Sequence, residues 1–320
     1  MKKILMYAVI ILLAVSLLTA CGGKNDTAES DSDGNSSSAK TSVQTPLDTE
    51  RIEYNELLFD GEGVKITLVG YEHNFWGHCY YVTYENNTET RMGAEISLAS
   101  VNRCMIDLSD TLLATLVPGE KLENVEYWIS DSELQARGIN EINDFEVNFR
   151  LVEREKLGFL FNTELITVST PNPGFAQTFD SDGIVVAEQG GIKITALRVD
   201  YDAGITQNNP GVWVFIENNS EFDVDVVGYN SIAEDSAGGR INGDLHCPVM
   251  SGKVAYDHIL YYGPDFRKEN MERIETLTLS FYADTFKGTE RQRLMHQDQA
   301  VNRTRVTLDA DGKAVKGESW

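Results

Sequence analysis

Along much of the chain apolar and polar side chains alternate one for one. Val64, Ile66 and Leu68 are separated by Lys65 and Thr67, and Phe145, Val147, Phe149 and Leu151 by Glu146, Asn148 and Arg150. Such alternation sends one row of side chains into a core and the other to water, as in an antiparallel strand. The pattern also repeats. Gly63-Val-Lys-Ile-Thr-Leu68 returns as Gly191-Ile-Lys-Ile-Thr-Ala196, and Val82-Thr-Tyr-Glu-Asn-Asn-Thr88 as Val214-Phe-Ile-Glu-Asn-Asn-Ser220. Pro118-Gly119-Glu120-Lys121 is echoed by Ser251-Gly252-Lys253, and the strand Ile142–Phe149 by Ile274–Phe281. All four pairs keep their order at an offset of about 130 residues, too long for a solenoid repeat and right for a duplicated domain.

Ser130 and Glu133 have capping-box spacing and Gly138 suits a C-terminal stop, so one or two helical turns are expected there. Roughly seven short strands per copy, with turn signals between them, predict an all-β chain of two tandem immunoglobulin-like antiparallel β-sandwich domains. Domain 1 is expected over residues 51–172 and domain 2 over 173–320, with Pro171-Asn-Pro-Gly174 at the join. The second copy departs around Glu234–Asp244, where Gly238, Gly239 and Gly243 suggest a longer, looser hairpin. Its tail is irregular from Lys287 until Arg305-Val-Thr-Leu308 supplies a last strand.

One run does not alternate. Lys2 and Lys3 precede an apolar stretch from Ile4 to Leu18, the charged and hydrophobic regions of a signal peptide over residues 1–20. It ends in Leu18-Thr19-Ala20-Cys21, which resembles a bacterial lipobox. That resemblance implies cleavage between Ala20 and Cys21 and attachment of diacylglycerol, with palmitate-type chains, to the Cys21 sulfur. From Gly22 to Glu50 only Val43 and Leu47 are large aliphatics, so residues 21–50 read as a lipidated cysteine followed by a flexible low-complexity linker. A coil of that length reaches on the order of 30 Å.

The strand Gly-Val/Ile-Lys-Ile-Thr, the turn Glu-Asn-Asn-Thr/Ser, the Gly-Lys step and the strand ending in Phe149 or Phe281 together resemble a family of Gram-positive surface lipoproteins. Members carry one or more immunoglobulin-like domains of unknown function and are related in style to secreted mycobacterial antigens. The resemblance covers most of residues 56–286. Its motifs are structural, so it implies a fold and a location, the outer face of the cytoplasmic membrane of a monoderm bacterium, and hardly any activity.

Charge narrows the partners. The chain has 27 Lys and Arg against 50 Asp and Glu, a formal charge of −23. Removing Lys2 and Lys3 with the signal leaves 25 basic residues against 50 acidic, a mature charge near −25. Such a surface disfavours nucleic acid and polybasic binding to anionic lipid. The membrane is reached through covalent lipid, and the expected partner is an envelope protein or an extracellular polymer.

Candidate chemistry is sparse. Besides Cys21, the chain has Cys79, Cys104 and Cys247; Cys79 and Cys104 share a domain and can bridge, although buried free thiols are at least as good a reading. His73, His78 and Cys79, with Glu72, offer metal-ligand types, but on an expected loop without rigid support they predict no metal site and no cofactor. His246 and Cys247 beside His258 offer still less. Asp180-Ser-Asp182-Gly183 and Asp309-Ala-Asp311-Gly312 start like calcium loops, lack the remaining ligands and read as turns. Asn86-Asn-Thr88 and Asn218-Asn-Ser220 match a glycosylation sequon yet also read as turns. No nucleophile elbow, zinc-protease motif or phosphate loop occurs, so an enzyme is not expected.

One feature suggests recognition. Val212, Val214 and Ile216 share a strand face opposite Trp213 and Phe215, and Tyr80, Val82 and Tyr84 lie opposite Tyr81. Outward-facing Tyr81, Trp213 and Phe215, extended by Phe75 and Trp76, would form a contact patch. A central strand covered on both faces would bury them instead. The expected function is a non-catalytic, membrane-anchored binding or recognition module; the alternative is a structural or sensory accessory subunit of a cell-envelope membrane complex.

Overall fold

The computed structural model describes residues 50–320 except 107, 109–113, 155–157, 175–176, 202–208, 262–264, 266–268, 270, 286–291, 298–302 and 320, and the side chains of 158–160. The signal segment, Ala20, Cys21 and the linker as far as residue 49 lie outside the described residues. Among the described residues, the structure is all-β apart from a short helix. No helix among the described residues is long and apolar enough to cross a membrane.

In the first repeat the strands are β1 (Ile52–Gly61), β2 (Val64–Asn74), β3 (Gly77–Asn86), β4 (Met92–Val101), β5 (Cys104–Ile106), β6 (Ala114–Leu116), β7 (Lys121–Ile129), β8 (Phe145–Glu153), β9 (Gly158–Asn162) and β10 (Ile166–Val168), with helix α1 (Asp131–Ala136) after β7. An antiparallel sheet of order β1-β2-β3-β7 forms one layer. The facing layer is built on β4, paired with β5, β6 and β8, while β8 also pairs with β9 and β10. Ile66, Leu68, Tyr80 and Tyr84 of the first layer and Phe145, Phe149 and Leu151 of the second are buried in a common core, as the alternation requires.

The second repeat contains β11 (Ile184–Gln189), β12 (Ile192–Asp200), β13 (Gly211–Asn218), β14 (Val224–Glu234), β15 (Arg240–Val249), β16 (Val254–Tyr261), β17 (Thr276–Leu279), β18 (Phe281–Thr285), β19 (Arg293–His296), β20 (Thr304–Leu308) and β21 (Ala314–Ser319). The run β11-β12-β13-β16 reproduces β1-β2-β3-β7. β14 pairs with β15, β17 and β18 in the other layer, over a separate core that includes Ile194, Val214, Leu277 and Phe281. Two expectations change here. The Glu234–Asp244 segment is a tight hairpin, paired up to Glu234 and Arg240, because Asp235 Oδ1 accepts from the amides of Ala237 (3.0 Å) and Gly239 (2.7 Å). The strand at Arg305–Leu308 is not the last, since β21 pairs antiparallel with it.

The two repeats share their hydrogen bonds atom for atom at one place. Asn86 and Asn218, each fully buried, end β3 and β13. The Asn86 amide nitrogen donates to the carbonyls of Thr90 (2.9 Å) and Leu116 (3.1 Å), and its Oδ1 accepts from the Thr88 backbone (3.0 Å) and hydroxyl (2.7 Å). Asn218 donates to Phe222 (2.8 Å) and Val249 (2.9 Å) and accepts from the Ser220 backbone (3.0 Å) and hydroxyl (2.7 Å). The main chain repeats as well: Asn87 N donates to Gly63 O and Gly119 N to Asn86 O, while Asn219 N donates to Gly191 O and Gly252 N to Asn218 O. The sequons are therefore turn residues whose first asparagine is a buried tie between layers.

A different contact joins the repeats, which lie within one compact unit, Thr45–Trp320. β5 pairs with β16 in parallel, Cys104 opposite Val254 and Met105 opposite Ala255. The turn before β5 places Asn102 and Arg103 at φ 51° and 71°. From there the Arg103 guanidinium donates to Gly252 O (2.8 Å from Nη2), and Arg103 O accepts from Val254 N (2.9 Å). Lys253 pairs with Glu146 beside it. Trp213, Phe215 and Tyr256 of the second repeat are buried in the first repeat's core cluster, where Phe179 of the connecting segment stands 6.3 Å from Phe215 and 6.1 Å from Tyr256 between ring centres.

Replacing Asn86 with Ala should remove four bonds and strand buried carbonyls, lowering stability by about 3 kcal/mol or more in urea titrations, with Asn218→Ala alike. Thr88→Ala, which keeps the amide, should cost about 1 kcal/mol.

His258 lies in the junction, its ring centre 3.8 Å from that of Trp213. Burial pushes its pKa down to about 4; Asp200 works against this, and Arg137 and Arg198 add to it. The folded value lies below the ordinary 6.5. The unfolded chain therefore binds the extra proton, and stability complete above about pH 6.5 is lost as pH falls through 4. Denaturant midpoints measured across that window should fall. His258→Gln should flatten the change by roughly 2 kcal/mol, allowing for solvent screening of a half-buried ring.

Candidate functional site

Of the expected contact residues, the structure exposes two and buries three. Phe75 and Trp76 are 70% and 72% exposed. Tyr81, Trp213 and Phe215 are buried, so the five form no common patch. The outward-facing reading is corrected by packing: Arg51 covers the Tyr81 ring at 4.0 Å, and the junction between the repeats covers Trp213 and Phe215. Aromatics on the non-core face of a sheet remain exposed only when no second element lies over that face.

Phe75 and Trp76 are the two residues between β2 and β3, at the tip of that hairpin. Asn74 Oδ1 accepts from the Trp76 amide (2.9 Å), and the two rings stand edge to face with centres 5.3 Å apart. The histidines expected on a loop are instead cross-strand partners, His73 on β2 opposite His78 on β3. Glu72 is paired with Cys79 one step along and therefore on the other face. The ligand types that are adjacent in sequence are thus separated.

One local irregularity brings His73 to the core side, where His78 already lies in phase with Tyr80, Val82 and Tyr84. The register between β2 and β3 slips between Leu68 and Gly70, leaving Val69 as an extra residue. A bulge of this kind reverses the phase of alternation. Val64, Ile66 and Leu68 face the core before it; Tyr71 faces the core after it, and His73 follows two residues on. On the other side, β7 runs past His78 at Ile129 and turns directly into α1. Ser130 caps that helix, its hydroxyl accepting from Glu133 N (3.1 Å), which sets Asp131 at the first helical position. Gly77, at φ +117°, permits the approach: a Cβ there would lie 2.4 Å from Ile129 O.

Asp131 consequently meets both imidazoles. Its carboxylate is 3.0 Å (Oδ1) and 3.2 Å (Oδ2) from His73 Nε2, and Oδ1 is 3.4 Å from His78 Nε2. The rings stack with centres 4.1 Å apart and planes within 5°. Tyr71 Oη is 2.7 Å from His78 Nδ1. Burial, then the neighbouring His73, lowers the His78 pKa to about 4, against the pull of Asp131. Tyr71 is raised above the ordinary tyrosine value, chiefly by burial and then by Tyr54 and Asp131. A neutral His78 beside a carboxylate and a second imidazole, each of these partly open to solvent, is able to bind a cation or pass a proton. Sequence reading missed Asp131; the capping spacing of Ser130 and Glu133 was the signal that located it at a helix start.

The remaining candidates make local contacts. Asp180 and Asp309 use Oδ1 to accept amides two residues on, from Asp182 (3.0 Å) and Asp311 (2.9 Å), and Lys313 Nζ pairs with Asp182 at 2.7 Å. His246 is paired with Asp225 at 2.8 Å on the exposed side of β15. Cys79, Cys104 and Cys247 are buried thiols outside any disulfide. Burial pushes the thiols of Cys79 and Cys104 up to about 12.

Set against known proteins, the chain matches no family model and no curated protein sequence.

The burial of the thiols predicts a two-step labelling experiment. With Cys21 replaced by serine, the native protein should react negligibly with a thiol-specific chromogenic reagent, and the denatured protein should release three equivalents from Cys79, Cys104 and Cys247. A Cys79–Cys104 disulfide would leave one.

Proposed function

We propose that this chain is a lipid-anchored recognition module on the outer face of a monoderm cytoplasmic membrane, and that it binds through the β2–β3 tip of its first repeat. The observation carrying the second half is the exposure of Phe75 and Trp76 together, while the other expected contact aromatics are buried. Two adjacent rings held in water by a turn lose little side-chain freedom on binding and offer large apolar area, which makes them efficient anchors. The first half rests on the basic start, the apolar run and the Leu18-Thr19-Ala20-Cys21 motif. The partner is an envelope protein or extracellular polymer, and no catalytic step is invoked.

A photo-reactive aromatic residue substituted at Phe75 should cross-link in cells to that partner. Trp76→Ser should abolish the capture of the partner by the Phe75 probe while leaving the melting temperature within about 2 °C. Cross-links confined to probes on the sheet faces, to one membrane protein at equal amounts, would favour an accessory subunit instead. Labelled palmitate should enter the wild-type chain and not Cys21→Ser.

A further inference from the structure

The geometry points to a divalent transition-metal site formed by His73 Nε2, His78 Nε2 and the Asp131 carboxylate. This inference does not depend on the lipid anchor or on the partner proposed for the hairpin tip. The three ligand atoms all lie within 4.8 Å of one another. Imidazole nitrogens and a carboxylate oxygen bound at about 2.0–2.2 Å to one ion sit roughly 3.0–3.4 Å apart. The distances from Asp131 to the two Nε2 atoms, 3.0 and 3.4 Å, already match that spacing.

Each ligand has rigid support. His73 and His78 are fixed by strand register, and Asp131 by the capped start of α1. The rings lie face to face, so binding asks the His73 ring to turn about its Cβ–Cγ bond while Tyr71 holds that of His78 in place. The ring of His73, with its side chain 26% exposed, has room to do so. Tyr71 supplies the outer support that ligating histidines have elsewhere. With Nδ1–H of His78 donated to Tyr71 Oη, the proton is held on Nδ1 and the Nε2 lone pair is free for the ion.

The donor set decides the class of ion. Two imidazoles and one carboxylate favour zinc and its first-row neighbours over calcium or magnesium, which prefer oxygen. Neutral imidazoles with one carboxylate carry a single negative charge, in a chain whose formal charge is −23. Three protein ligands leave at least one position open, and the partial exposure of His73 and Asp131 puts it within reach of water. The exposed pair Phe75–Trp76 lies on the same hairpin, so a donor group on a molecule resting there is able to complete the coordination.

The test uses the tag-free full chain in detergent, stripped with chelator and titrated calorimetrically with zinc sulfate near pH 7.5. One zinc should bind with micromolar affinity. His73→Gln and Asp131→Asn should each weaken it at least tenfold without lowering the melting temperature of the metal-free protein by more than a few degrees. Tyr71→Phe, which keeps the ring and removes the hydroxyl, should weaken it about tenfold. Cobalt should give the visible spectrum of a nitrogen–oxygen donor set in the wild type, and this spectrum should be lost in His73→Gln. Absence of a one-to-one site, or equal binding by wild type and the His73→Gln and Asp131→Asn proteins, would overturn the assignment. The second result would place the metal on scattered carboxylates.

Discussion

Two buried asparagines hold the layers of this protein together. At the end of β3 and again at the end of β13, an amide with no solvent contact bonds to one carbonyl four residues on and one about thirty residues away in the facing layer, and receives an amide and a hydroxyl from its own turn. In a buried site such groups must all be satisfied or the fold loses several kcal/mol. The arrangement therefore fixes where the first sheet stops, where the facing layer passes, and how the Gly119 and Gly252 turns close. Everything that extends from those strands, the hairpin at one end and the junction between repeats at the other, inherits its position from that register.

The junction shows how a duplicated unit acquires a use for a face that its twin leaves differently covered. Tyr81 in the first repeat is shielded by Arg51, whereas Trp213, Phe215 and Tyr256 in the second are packed with Phe179 into the first repeat's core. Burial of these rings, the parallel pairing of β5 with β16 and the bonds from Arg103 make one body of two sandwiches. His258, pressed on Trp213 in that body, has its pKa lowered chiefly by burial.

At the far end of the first sheet, a one-residue bulge and a six-residue helix assemble the candidate site. The bulge at Val69 shifts β2 so that Tyr71 and His73 come round to the side of His78. The helix cap then sets Asp131 against both rings, over a glycine that leaves room for the approach. The exposed aromatic tip and the two histidines of the cluster belong to the same hairpin, and Asp131 reaches them from the helix start.

Much of the architecture was legible in the order of residues. Alternation at Val64–Leu68 and Phe145–Leu151 marked strands, the repeated Glu-Asn-Asn-Thr/Ser segments marked equivalent turns, and Ser130 with Glu133 marked the helix start, because each depends on local geometry with a fixed period. The apolar run from Ile4 to Leu18 and the Leu18-Thr19-Ala20-Cys21 motif are likewise matters of sequence alone. What the tertiary structure decided is which faces are covered and which distant side chains meet. Whether Trp213 faces water depends on a second repeat folding against it, and whether His73 faces inward depends on a slip in register between β2 and β3. His73 and Asp131 are brought together across 58 positions of chain. Such contacts are set by pairing between strands, and no period in the sequence encodes them.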